Sequence, residues 1–125
     1  MAQRILRWFG IVYVVVGVCG FFFHDGAGNE FGFLNVNPLH DAIHAAVGAL
    51  SIALSFNVTL TRLWGWFGLV LFGLLVVYGV WPQLNLLASA VPIPLTGGVW
   101  YFHILSFIAI VSIVSAARPQ EIIVA

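Results

Sequence analysis

The sequence predicts an all-α integral membrane protein, a bundle of four transmembrane helices with both termini cytoplasmic. Three observations carry the prediction. Of 125 residues, 62% are apolar and only 6% are charged, whereas an ordinary soluble domain carries roughly a quarter of its residues as charges. The apolar residues gather into four runs, approximately 5–23, 38–56, 63–81 and 99–117, each close to the ~20 residues that cross ~30 Å of hydrocarbon as a helix. The arginines lie outside the middles of these runs, at positions that four crossings bring to one face.

Ile5 to Phe23, apolar apart from Arg7 near its start, forms the first span. The competing reading, a cleaved signal peptide behind Arg4 and Arg7, lacks the A-x-A-like site expected before His24 and Asp25. A lipid-modified Cys19 is disfavoured by bulky Val18 ahead of it, and this lone cysteine reads as a small packed hydrophobe. The second span opens at Asn37-Pro38, an N-cap acceptor followed by the ring tolerated at the first helical position, and runs through Phe56. Leu63 to Trp81 is the third, capped by Thr61 and stopped by Pro82, which has no amide hydrogen. Val99 to Ala117 is the fourth, between the turn Thr96-Gly97-Gly98 and the exit Arg118-Pro119. The runs lack the short alternating segments of an outer-membrane barrel, so helices satisfy the backbone. Of the connections, residues 24–37 are Gly-rich and acidic, residues 57–62 form a tight turn, and residues 82–98 mix Pro with apolar residues. Leu84 to Val91 is expected to lie flat in the interface. The chain reads as one domain.

Arg4, Arg7, Arg62 and Arg118 share one face, and the opposite loops hold Asp25 and Glu30 without Lys or Arg. The positive-inside rule makes the arginine face cytoplasmic and the location a cell inner membrane. Four basic residues against four acidic ones, with formal net charge +0, leave no basic patch for nucleic acid.

Helices in lipid meet where small residues let backbones approach. Candidates are Gly10, Gly17 and Gly20 in span one, and Gly65, Gly68 and Gly73 in span three. In span two His40, His44, Gly48, Ser51 and Ser55 keep helical spacing and predict an inward stripe. His103, Ser106, Ala109, Ser112 and Ala116 predict another in span four. Trp8, Trp64, Trp66, Trp81, Trp100 and Tyr101 sit near span ends, where amphipathic rings anchor in the headgroup zone.

All four histidines fall in the outer half: His24 ends span one, His40 and His44 begin span two, and His103 begins span four. At 1.5 Å per residue His44 and His103 lie about 9 and about 6 Å below their helix starts, so neighbouring spans can bring them to one depth. Asp41, three residues before His44, is placed to hold its imidazole. Three chemistries are open to this group. The histidines can close the bundle through capping and interhelical hydrogen bonds. His40, His44 and His103 can bind a cofactor, two imidazoles taking haem or a chlorophyll-type pigment, or three taking a divalent metal. The group can also move protons or catalyse. No G-x-S-x-G, H-E-x-x-H, C-x-x-C or P-loop occurs, Ser51 and Ser55 lie deeper than the histidines, and no catalytic residue is assigned. No span carries the mid-membrane charge of a typical transporter.

The segment Asn35-Val36-Asn37-Pro38-Leu39-His40-Asp41-Ala42-Ile43-His44 resembles a bacterial family of four-span membrane proteins, domain of unknown function 4383. In that family N-P-L-H-x-x-x-H opens span two and a second His motif opens span four. Here Trp100-Tyr101-Phe102-His103 stands in the second place, without the asparagine of the family pattern. The resemblance implies the four-span architecture and inward histidines, and no reaction. Each helical hairpin carries histidine at the start of its second helix, which suggests a degenerate tandem repeat. The function expected is that of a non-catalytic accessory or structural subunit, with the bilayer and other membrane subunits as partners. The alternative is a cofactor-binding protein using His40, His44 and His103.

Overall fold

The computed structural model describes residues 1–23, 29–30, 34–81 and 97–117. His24, Asp25, Pro82, the stretch Leu84 to Val91, Thr96 and the exit Arg118-Pro119 lie outside the described residues. Among the described residues four helices run α1 (Ala2–Gly20), α2 (Pro38–Leu54), α3 (Val58–Val80) and α4 (Gly98–Ala116). Between α1 and α2 a short antiparallel pairing joins β1 (Asn29–Glu30) to β2 (Leu34–Asn35), with Asn29 opposite Asn35 and Glu30 opposite Leu34. No strand was expected there. Among the described residues three helices are long and apolar enough to cross a membrane, and α2, at 17 residues, is shorter.

The distribution of side chains identifies the solvent. Large apolar residues point outward, with Phe67, Val70, Leu105 and Ile108 all more than half exposed. His40, Asp41, His44, Ser51, Ser55, Thr61, His103 and Ser106 are buried. Water would favour the reverse arrangement, whereas hydrocarbon tolerates the apolar exterior and drives polar groups inward. The chain is an integral membrane four-helix bundle.

Helix limits differ from the hydropathy limits at several ends. α1 begins three residues before Ile5 and stops at Gly20, while the apolar Phe21, Phe22 and Phe23 continue as an exposed turn. The connection between α2 and α3 shrinks to Ser55, Phe56 and Asn57, because α3 starts at Val58 and takes Arg62 into its second turn. Thr61 is therefore inside α3. The cap is Asn57, whose side chain accepts the Leu60 amide at 3.0 Å, and the Thr61 hydroxyl donates to the Leu54 carbonyl at 3.2 Å. Hydropathy marks where hydrocarbon begins, and a helix can hydrogen-bond on beyond it into the headgroups.

The two hairpins α1–α2 and α3–α4 make the most extensive contacts. In the first, glycine faces glycine: a Cβ on Gly10 would meet the Gly48 carbonyl oxygen at 2.7 Å, and one on Gly48 would meet the Gly10 carbonyl oxygen at 2.6 Å. A Cβ on Gly17 would collide with the backbone of Ala45 and the carbonyl of Asp41. The second hairpin sets large against small. Ile110 fills the space over Gly68, and Ile113 and Val114 that over Gly65. Gly73 is left with ordinary contact to Phe107. This changes the inward face predicted for α4: His103 and Ser106 are buried as expected, followed by Ile110 and Ile113, while Ser112 is exposed. Ser112 needs no partner helix because its hydroxyl donates to the Ile108 carbonyl within its own helix at 3.0 Å.

Two tryptophans are tie points between helices. Trp64 donates its indole N–H to the Ser51 hydroxyl at 2.8 Å, linking α3 to α2, and Trp100 donates to the Val76 carbonyl at 3.0 Å, linking α4 to α3. A Cβ on Gly79 would occupy the Trp100 indole position. Trp8, Trp66, Trp81 and Tyr101 are at least half exposed, as headgroup anchors require. At the other end from the histidines, Arg7 donates to Ser55 at 3.2 Å and lies 4.3 Å from the Phe56 ring centroid, pinning the start of α1 to the end of α2.

Candidate metal centre

Asn37 sets the first turn of α2. Its side-chain oxygen accepts the His40 amide at 2.9 Å, with extended backbone at Asn37 itself and Pro38 just inside the helix. The cap fixes the rotation of the turn that presents His40 and, one turn later, His44. Asn37→Ala is expected to lower bundle stability by about 1 kcal/mol, read as the shift in the unfolding midpoint in micelles. On α4, Gly97 precedes the helix at φ 72°, a conformation that suits glycine, and aims the first turn so that His103 enters the interior.

The stripe predicted on α2 is buried along its whole length: His40, His44, Gly48, Ser51 and Ser55. The structure brings all three predicted site residues together. The rings of His40 and His44 lie 4.4 Å apart between centroids, His40 and His103 5.8 Å, and His44 and His103 6.1 Å. Each imidazole offers one nitrogen such that the three lie within 4.8 Å of one another. All three residues are at most 3% exposed. Among the described residues, Nδ1 of His40, both nitrogens of His44 and Nδ1 of His103 have no hydrogen-bond partner.

Aromatic rings wall the cluster. Tyr13 meets His44 edge to face at 5.2 Å, Phe102 lies 5.5 Å from His44, and Phe72 lies 6.2 Å from His103. Phe102 also packs against a small apolar cap of Leu34, Val36 and Val99, so the pairing between α1 and α2 contributes a cover over this end of the bundle. Tyr13 and Ser106 are 2.6 Å apart, and the Ser106 hydroxyl donates to the Phe102 carbonyl at 2.8 Å. A serine has one hydroxyl hydrogen, so Tyr13 is the donor and Ser106 the acceptor in their contact. Tyr13→Phe deletes a donor and leaves Ser106 its carbonyl, whereas Ser106→Ala leaves a buried phenol hydrogen without an acceptor. Unfolding midpoints should therefore show the serine substitution as the more damaging, about 1–3 kcal/mol against about 1 kcal/mol.

Residues 3–117 match the family described as Domain of unknown function (DUF4383). The chain belongs to the DUF4383 family. The match covers all four helices apart from Ala2 and includes every residue of the histidine cluster. No curated protein and no solved structure matches the chain.

In this DUF4383 chain Asp41 does not hold His44, since neither His44 nitrogen has a hydrogen-bond partner among the described residues. Its carboxylate instead packs against Gly20 of α1, where a Cβ would collide with it. Three hundred-degree steps of a helix carry the side chain at i+3 about 60° around the axis, enough to turn Asp41 toward α1 while His44 faces the interior. Tyr13 was missed as part of the site. The available signal was its position in the middle of span one, away from the interfaces that an amphipathic ring prefers.

Proposed function

We propose that this DUF4383 protein is a membrane-embedded metal-binding protein, with His40, His44 and His103 holding one transition-metal ion in the outer half of the bundle. The carrying observation is the approach of three buried imidazole nitrogens to within 4.8 Å, with four ring nitrogens lacking hydrogen bonds among the described residues. Buried imidazole that serves only as packing is normally hydrogen-bonded, and leaving its nitrogens unpaired is costly. A metal uses one lone pair from each imidazole, three in all. Metal–nitrogen bonds of about 2.0–2.1 Å place ligands about 3.4–3.6 Å apart in a tetrahedral or a trigonal set, so ring rotations that close the widest gap, at most 4.8 Å, by about 1.4 Å complete the geometry.

The same contacts favour a single ion over haem or a chlorophyll-type pigment. A macrocycle coordinated from both sides must pass between two imidazoles, and here His40 and His44 are in direct contact, with Tyr13, Phe72 and Phe102 around them. The accessory-subunit reading draws on the exposed Phe and Trp surface, which a lipid coat covers equally well. For the topology, Arg7 lies at the end of the bundle away from the histidines, near Phe56, which supports both termini in the cytoplasm and an inner-membrane location. A reporter fused after Ala125 tests the orientation.

The test of the binding function is metal analysis of protein extracted in mild detergent. About one equivalent of transition metal per chain is expected, lost in a variant with all three histidines replaced by leucine. Substoichiometric metal in wild-type protein after incubation with zinc, nickel, iron and both Cu(I) and Cu(II) sinks the proposal.

A further inference from the structure

We infer that the ion this cluster accepts is monovalent copper, Cu(I), in a three-coordinate site made of imidazole alone. The inference rests on the metal reading above and adds the identity and charge of the ion.

The donor set is the first argument. His40, His44 and His103 supply three neutral ligands, and no thiolate or carboxylate among the described residues joins them. Cys19 is on α1 outside the group, and Asp41 directs its carboxylate at Gly20. An ion held by neutral ligands keeps its full charge. The desolvation cost of an ion in a low-dielectric interior grows with the square of that charge, so a divalent ion costs about four times what a monovalent one does. Carboxylate or thiolate ligands would offset a second positive charge, and this set contains neither.

Coordination number is the second argument. Three-histidine zinc sites complete themselves with water or substrate at an open fourth position. Here His44 is flanked by Tyr13 and Phe102, His103 by Phe72, and the apolar cap of Leu34, Val36 and Val99 adjoins Phe102. The Tyr13 hydroxyl, a polar group of that wall, is already spent on Ser106. Cu(I), with a filled d shell, is content with three ligands and needs no fourth oxygen. Nickel and divalent copper favour tetragonal sets, and magnesium, calcium and manganese favour oxygen; among the described residues the aromatic rings around the cluster provide neither.

The experiment is an anaerobic titration of the purified full chain with Cu(I) buffered by a chromogenic Cu(I) chelator, followed by challenge with Zn(II). One Cu(I) per chain is expected, without an electron paramagnetic resonance signal, with an X-ray absorption edge of three-coordinate Cu(I) and with nitrogen scatterers. A hundredfold excess of zinc should leave it in place. His103→Ala should weaken Cu(I) retention by at least about a hundredfold, since even indirect supports of metal ligands contribute about 10–100-fold. Cys19→Ser, outside the cluster, should bind as wild type does and keeps the test meaningful if the histidine variant fails to fold. Zinc displacing copper at equimolar concentration overturns the copper assignment and leaves the metal reading intact. Copper binding lost in Cys19→Ser, or an absorption spectrum showing sulfur scatterers, overturns the assignment as well. Retention of neither ion by folded wild-type protein overturns both.

Discussion

His44→Leu is expected to abolish metal-dependent stabilisation while leaving the metal-free bundle at least as stable as the wild type. His44 is 2% exposed, and both of its ring nitrogens lack hydrogen-bond partners among the described residues. Without metal, the imidazole therefore carries a desolvation penalty and returns no bond for it. Leucine fills similar volume without polar atoms, and relief of the penalty should raise metal-free stability by up to about 1–2 kcal/mol. With metal present at a thousand times its dissociation constant, the wild type should gain about 4 kcal/mol by mass action, and the variant should gain almost nothing. Unfolding in micelles with and without saturating metal separates the two terms. A variant equally destabilised in both conditions would mean that His44 serves packing alone, and the metal proposal would fail on its strongest residue.

The inward stripe of α2 was legible because His40, His44, Gly48, Ser51 and Ser55 share one helical face and hydrocarbon offers polar groups nowhere else to go. The meeting of His40 and His44 with His103 followed from the even number of crossings, which puts the starts of α2 and α4 at one end. The inner face of α4 was read less well. Small residues predicted contact through Ser112, yet Ser112 satisfies its hydroxyl inside its own helix and Ile110 and Ile113 turn inward. Those isoleucines fit because the glycines opposite them, Gly65 and Gly68, are on α3. Complementarity of large against small belongs to a pair of helices, and one helix's sequence does not contain it. Helix ends failed for another reason. Asn57 and not Thr61 caps α3 because the backbone ladder extends past the apolar run, and hydropathy reports the surrounding solvent. Trp64 and Trp100 look in sequence like the other terminal tryptophans, and only the neighbouring helix decides whether an indole N–H finds Ser51, Val76 or a headgroup.

The largest effect on folding is expected from Gly17→Val, which should lose more than about 3 kcal/mol or prevent recovery of folded protein altogether. A Cβ at Gly17 meets the amide and Cα of Ala45 and the carbonyl of Asp41. These are backbone atoms, so no rotamer change relieves the overlap, and α1 must move away from α2. Separation removes the dispersion contacts that hold helices together in lipid, where no hydrophobic force replaces them. It also displaces the turn carrying Asp41 and His44, so metal retention should fall together with stability. Gly73→Ala is the paired measurement: its nearest neighbour is Phe107 Cε2 at 3.5 Å, ordinary contact. There alanine should be neutral or stabilising by up to about 1 kcal/mol through helix propensity. If Gly17→Val unfolds at the wild-type midpoint, α1 and α2 do not approach as closely as the glycines indicate, and the rotation that brings His40 and His44 to His103 loses its support.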